Sequence, residues 1–270
     1  MSLRINTNIE SFDAHRQLEG TNMKLQKSMQ RLSSGYRINT AADDAAGLAI
    51  SEKLRAQISG LDQANRNAQD AVSLVQTAEG QLNEVHSMLQ RVRELAVEYR
   101  NGTLSTTDRT AIQSEINQLA SEIERIGTSA QFNGIPLLNG QVTVTFQVGA
   151  NDGEDISITT ATLWGSAVPS AAFALDITNT ADISEIDDAI NSISAMRAQY
   201  GAVQNRLEHV INNLEIYQQN LTASESQIRD VDMAAEMANL TKFQVLQQAG
   251  TSMLAQANQE PQSVLKLLNG

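Results

Sequence analysis

The 270-residue sequence contains no cysteine, which excludes disulfides, thiolate catalysis, iron–sulfur clusters and cysteine-ligated zinc together. Aromatic residues make up only 4% and tryptophan occurs once, a profile that suits packed helices better than a β-sandwich. Proline occurs three times, at 136, 169 and 261, leaving two stretches of roughly 90 residues or more without a helix breaker of that kind. Basic residues are few. Nineteen Lys and Arg against 31 Asp and Glu give a formal charge of −12, so phosphate backbones and anionic lipid surfaces are repelled, and nucleic-acid binding is disfavoured. No apolar run approaches about 18 residues, so membrane insertion is not expected. The start, MSLRINTNIESF, lacks a charged segment followed by a continuous apolar one, so it does not resemble a cleaved secretory signal.

Catalytic patterns are missing as well. His15, His86 and His209 fall in separate helical blocks with no second His at metal spacing, and HExxH is absent. Asp43-Asp44 reads as a helix N-terminal cap rather than a paired-carboxylate site. Asp152, Glu154 and Asp155 read as a solvated hairpin turn, since no EF-hand spacing follows. With no Gly-rich phosphate loop, nucleophile elbow or Ser/His/Asp set, the expectation is no enzyme, no cofactor and no metal site. The methionines at 23, 29, 88, 196, 233, 237 and 253 read as core fillers that also tolerate repacking.

What the sequence does contain is helical periodicity, carried by a 41% hydrophobic content. Leu54, Ile58, Leu61, Asn65, Ala68, Val72 and Val75 step by four and three, and after one slip Ala78, Leu82, Val85, Leu89, Val92, Ala96 and Tyr99 continue the seam to Asn101-Gly102. One helix from about Asp44 to Tyr99 would be roughly 80 Å long. Ile112, Ile116, Leu119, Ile123 and Ile126 make a shorter antiparallel neighbour, opening after Ser105-Thr106-Thr107-Asp108 and closing at Gly127. A third stripe runs from Ile186 through Ile193, Tyr200, Leu207, Leu214, Tyr217 and Ser224 to Val231. Between the helical blocks, Val142, Val144, Phe146 and Val148 alternate with polar residues, a turn follows, and Ile156 and Ile158 resume, which predicts a β-hairpin over about 141–160. Residues 161–181 read as a surface connector.

Both ends are helical too. Leu18, Leu25, Met29 and Leu32 stripe residues 1–33, which stop at Ser33-Ser34-Gly35, and Val245, Leu246, Met253, Leu254, Val264, Leu265, Leu267 and Leu268 stripe the C-terminal segment. Residues 232–270 carry only Asp232, Glu236, Lys242, Glu260 and Lys266 as charges, and a helix so poor in charge is usually buried on most sides. Nothing else in the chain can cover both terminal helices, so those twelve apolar residues form a candidate polymerisation interface with other copies. The fold class expected is mainly α: an elongated antiparallel helical bundle or coiled-coil rod (44–229) with a small β-hairpin region, and N- and C-terminal helices (1–43 and 230–270) paired.

The segment LSSGYRINTAADDAAGLAISEKLRAQISGLDQANRNAQDAVSLVQTAE (32–79) closely resembles the N-terminal conserved region of bacterial flagellin. The resemblance extends through NEVHSMLQRVRELAVEYRNGT (83–103), IQSEINQLASEIERIGTSAQFNG (112–134) and FQVGANDGEDISI (146–158). In the C-terminal half, AMRAQYGAVQNRLEHVINNL (195–214) and the stretch from Ala223 to Leu268 resemble the family's other conserved terminus. Only about residues 160–182 lie outside it, which marks a short form without large outer domains. Glu260 and Glu98-Tyr99-Arg100 depart from the residues usual at those places. The resemblance implies a subunit of the flagellar filament whose terminal helices line an inner tube and are disordered in the monomer. It implies export without a cleaved signal, an extracellular location, and as partners other copies of the chain, an export chaperone, a cap protein and hook-associated proteins. It also implies a host Toll-like receptor as partner, because QRVRELAV looks like the segment such a receptor reads; Gln90, Arg91, Leu95 and Glu115 are the matching contacts, with Arg91 and Leu95 on one helix face. The alternatives are a hook–filament junction protein and a non-exported coiled-coil scaffold.

Overall fold

The computed structural model describes residues 8–160, 163 and 182–269, with side chains through Gln259 apart from that of residue 182. In chain order the elements are α1 (Ile9–Ser34), α2 (Ala45–Tyr99), α3 (Thr106–Ser129), β1 (Gln131–Phe132), β2 (Ile135–Pro136), β3 (Thr143–Gln147), β4 (Asp155–Thr159), α4 (Asp182–Arg229) and α5 (Met233–Asn269). The chain divides into two compact units, Met1–Ala56 with Asn220–Gly270, and Gln57–Gln219.

In the unit Gln57–Gln219 the heptad seam is the core. Leu61, Ala68, Leu82, Val85, Leu89 and Val92 of α2 are buried, together with Ile116 and Ile123 of α3 and Ile193, Tyr200 and Leu207 of α4. The polar rim fixes the directions. Arg91 meets Glu115 at 2.8 Å, so α3 runs antiparallel to α2. Arg93 meets Asp187 at 2.5 Å and Gln218 donates to Asp62 at 2.7 Å, so α4 also runs antiparallel to α2. Helix α4 continues unbroken through Gly201. It ends at Arg229, two residues short of the expected Val231, because Asp230 leaves the helix to bridge Tyr36. Tyr217 and Ser224, expected on the buried stripe, are exposed.

Local chemistry sets the helix ends. Asp44 precedes α2, and its Oδ1 accepts from the Gly47 N–H at 2.9 Å, an N-cap. Asp43 does something else: it accepts from the Asn39 and Thr40 amides at 3.2 and 3.0 Å and meets Lys27 Nζ at 2.6 Å. The Lys27 contact above all, helped by those amides and opposed by burial, holds its carboxyl well below the usual range. Ser105 is the residue chosen to cap α3, in a reciprocal capping box with Asp108. Helix α3 runs past the expected stop at Gly127 to Ser129, with Gly127 buried inside it. Gly35 closes α1 in the left-handed conformation at φ 75°.

The hairpin forms with Val144 opposite Ile158 and Phe146 opposite Ile156, and Asn67 of α2 donates to the Gln147 carbonyl at 2.9 Å. Val142 lies before the ladder and is exposed. A second hairpin, β1–β2, turns at Asn133 (φ 48°) and Gly134 (φ 80°) and leads Leu137 and Leu138 into the core. Leu163, expected in a surface connector, is instead fully buried, its amide donating to the Leu138 carbonyl at 3.0 Å. The rest of that connector lies outside the described residues.

Pro261 does not stop α5, which runs through it to Asn269. A proline has no N–H to give the carbonyl four residues back, here that of Ala257. Asn8 Nδ2 donates to that carbonyl at 2.7 Å, while Asn8 Oδ1 caps α1 by accepting from the Ser11 N–H at 3.0 Å. One side chain thus satisfies the start of α1 and the gap in α5.

Candidate self-association surface

Helices α1 and α5 pair antiparallel, as the contacts Asn8 to Ala257, Asn22 to Gln247 and Ser28 to Glu236 fix. Small residues let the backbones come within 8 Å of one another. At Gly250 an added Cβ would come to 3.2 Å of Leu18. The seam carries polar contacts beside the half-buried Leu18, Leu25, Leu32 and Leu254: Ser28 Oγ donates to Glu236 Oε1 at 2.5 Å with both residues buried, Gln247 Nε2 donates to Asn22 Oδ1 at 2.8 Å, and Arg31 lies 3.8 Å from Glu236. The carboxylate is therefore hydrogen-bonded and paired rather than orphaned.

Large apolar side chains lie on the other side of this pair. Phe12 is 79% exposed, and Ile9, Met23, Met29, Met233, Met237, Val245, Leu246 and Met253 are also exposed. Among the described residues, only Val97, Val142, Ile216 and Tyr217 of the unit Gln57–Gln219 are comparable. An ordinary helix pair hides its large apolar residues and shows its polar ones. Here further large apolar side chains remain on the outside, and those outward faces present water with a cost that only a further surface removes.

The twelve residues expected at a polymerisation interface separate accordingly. Met29, Val245, Leu246 and Met253 are exposed, whereas Leu18, Leu25, Leu32 and Leu254 are half-buried. The side chains of Val264, Leu265, Leu267 and Leu268 lie outside the described residues. Ile9, Phe12, Met23, Met233 and Met237 were not on that stripe. The methionine reading is corrected in part: Met88 and Met196 pack against the core, but the five methionines of α1 and α5 face outward. One stripe per helix accounts for only part of the apolar residues that α1 and α5 expose.

At the candidate receptor contact, Arg91 Nε and Nη2 donate to Glu115 Oε1 at 3.0 and 2.8 Å, and Nη1 donates to Glu94 at 3.3 Å. These hydrogen bonds, Glu115's first, raise the guanidinium's hold on its proton. Gln90 is exposed, 2.9 Å from His86. Leu95 is only 2% exposed and packs with Val92, Ala96, Ile112, Ile116 and Ile186. The expectation that Arg91 and Leu95 are presented together is thus corrected: Arg91 sits at the edge of the buried stripe and reaches out, and Leu95 belongs to the core. His15 lies 3.6 Å from Glu19, and Glu154 is bound by the Asn151 amide and side chain, each at 3.0 Å, which lowers its proton affinity. Among the described residues no group of three His, Asp or Glu is placed to hold a metal ion, and no helix is long and apolar enough to cross a membrane.

The sequence matches the bacterial flagellin N-terminal helical region over residues 5–143 and the bacterial flagellin C-terminal helical region over residues 183–268. It is 54% identical to a flagellin of Halalkalibacterium halodurans over 270 residues, covering 98% of this chain and 99% of that one. It is 46% identical to the flagellar filament 33 kDa core protein of Treponema phagedenis, covering 98% of this chain and 99% of the relative. A solved structure of a candidate flagellar hook-associated protein from Vibrio parahaemolyticus shares the fold, with a TM-score of 0.61 at 14% identity over 70% of this chain and all of that one. With both family regions matched in order and these relatives alike over nearly the whole chain, the chain belongs to the bacterial flagellin family.

Proposed function

We propose that this chain is a structural subunit that polymerises through its terminal helices into the bacterial flagellar filament for swimming motility. The observation that carries the reading is the α1–α5 pair, which keeps nine large apolar side chains exposed on its outward faces. Burying a fully exposed Phe, Met, Leu or Val side chain is worth about 1.5–3 kcal/mol. The nine exposed on α1 and α5 outweigh an ordering cost of about 1 kcal/mol or more per residue only when several neighbouring subunits cover them together, which makes growth cooperative. The protein is not an enzyme, and it works outside the cell as part of the flagellum. Growth of long filaments on short seeds, seen by electron microscopy, tests the reading; protein that never extends seeds would overturn it.

The finer readings rest on the resemblance and on the surface. The terminal helices line the inner tube and are only marginally ordered in the free subunit, and residues 44–229 form the surrounding shell. Export proceeds without a cleaved signal, with an export chaperone, a cap and hook-associated proteins as partners. A host Toll-like receptor engages the exposed side of α2 at Gln90, Arg91 and Glu115, with Leu95 supporting the helix from within. The exposed Arg91–Glu115 pair supports this. Receptor signalling that survives Arg91→Ala combined with Glu115→Ala would remove it.

A further inference from the structure

With no cysteine in the chain, the only sulfur it offers an oxidant is methionine. That sulfur is unevenly placed. Met23, Met29, Met233, Met237 and Met253 are between 48% and 66% exposed, all on α1 and α5. Met88 and Met196 are partly buried against the core of the other unit. We infer that the five outward methionines are oxidation sites for peroxides, and that their sulfoxides block self-association while sparing the fold of the unit Gln57–Gln219. This rests on the filament reading.

In each reaction the thioether sulfur attacks one peroxide oxygen. The O–O bond breaks, an S–O bond forms, sulfur is oxidised by two electrons, and the peroxide is reduced to water, or to an alcohol if it is organic. The product is a polar, chiral side chain where an apolar one stood. In the free chain that change costs nothing, because the group faces water. Where a neighbouring subunit would cover it, the sulfoxide oxygen loses its water without gaining a partner, and association weakens by roughly tenfold for each one so covered. The exposures also rank the sites: the two core methionines react last, so the helical unit that carries them outlasts the surface that assembles. The change is reversible, since sulfoxide reductases return both epimers to the thioether.

The test treats the full-length monomer with hydrogen peroxide and maps each sulfoxide by peptide mass spectrometry. Seeded growth and thermal melting follow on the same samples. The expected result is at least a threefold faster oxidation at the five terminal positions than at Met88 and Met196, loss of seeded growth, an unchanged melt, and recovery after treatment with methionine sulfoxide reductases. A variant with all five changed to leucine is expected to keep growing after peroxide, and single Met→Gln changes, which copy the polarity, to slow growth without peroxide. Equal oxidation at all seven sites, or undiminished growth of the oxidised protein, would overturn the inference. Failure of the untreated protein to extend seeds would instead refute the filament reading and take this inference with it.

Discussion

Asn8 is the residue whose replacement most sharply separates a specific contact from general packing. Its Oδ1 caps α1 and its Nδ2 supplies the Ala257 carbonyl that Pro261 leaves without a helical partner. Asn8→Asp keeps the capping oxygen, since Asp and Asn are about equal at an N-cap, and removes only the donor. A carbonyl left unpaired costs about 1–3 kcal/mol when buried, and the partial burial here places the cost near the lower end, at about 1 kcal/mol. Pro261→Ala restores an N–H at position 261 and gives the carbonyl its own helical bond. Asn8→Asp is therefore expected to cost about 1 kcal/mol in the original chain and almost nothing in the Pro261→Ala background. Any effect of the new charge at the start of α1 cancels between the two backgrounds. The assay is amide exchange at Ser11 and Phe12 in the seeded filament, where the terminal helices are ordered and about 1 kcal/mol of local opening appears as a roughly fivefold rate increase. An equal increase in both backgrounds would show that the donor does not serve the gap.

Phe12→Ala is expected to leave the monomer's melt within about 0.5 kcal/mol of the original, because the ring is exposed; it is expected to raise the critical concentration for seeded growth by roughly tenfold or more, as about 2 kcal/mol of intersubunit burial is lost. Leu82→Ala inverts the pattern: a fully buried core residue is lost, and urea unfolding of the monomer is expected to show a cost of about 2–5 kcal/mol. Asp43→Asn gives a pH signature. Because the carboxyl is held below its ordinary value near 3.8, its stabilising contribution is present above that pH and fades as pH falls below it. Urea midpoints of the variant and the original are therefore expected to differ by a constant amount from pH 7 to about pH 4 and to draw together progressively at lower pH, and a gap that stays constant on further acidification would refute the Lys27 pairing as its source.

The long helices were legible because their cores obey one rule, a seam every three or four residues, and Leu61 through Val92 fall on it with few exceptions. The capping positions were legible where a Ser or Asp could reach a free amide. The β1–β2 hairpin was missed although Asn133-Gly134 between Phe132 and Ile135 is a strong type I′ signal; strands of two residues leave too little alternation to register. The self-association surface was half legible. The C-terminal segment's shortage of charge showed that something covers it, but periodicity did not separate residues turned between α1 and α5, such as Leu18 and Leu254, from those left outside, such as Met29 and Val245. Ile9, Phe12, Met23, Met233 and Met237 join the exposed set only once Ser28, Glu236, Gly250 and Ala257 are seen to lie between the helices. Leu95 went astray for a related reason: positions four apart share a helix face, yet an arginine can reach out from the rim while the leucine one turn on is inside.

Amide hydrogen exchange, compared between verified monomer and seeded filament, measures most directly whether the terminal helices are the surfaces that subunits bury. Amides of α1 and of residues 233–259 are expected to exchange fast in the monomer relative to residues 58–92, and to slow by at least a hundredfold on assembly, with little change in 58–92. Terminal helices already protected in the monomer as strongly as residues 58–92, or unchanged in the filament, would contradict it.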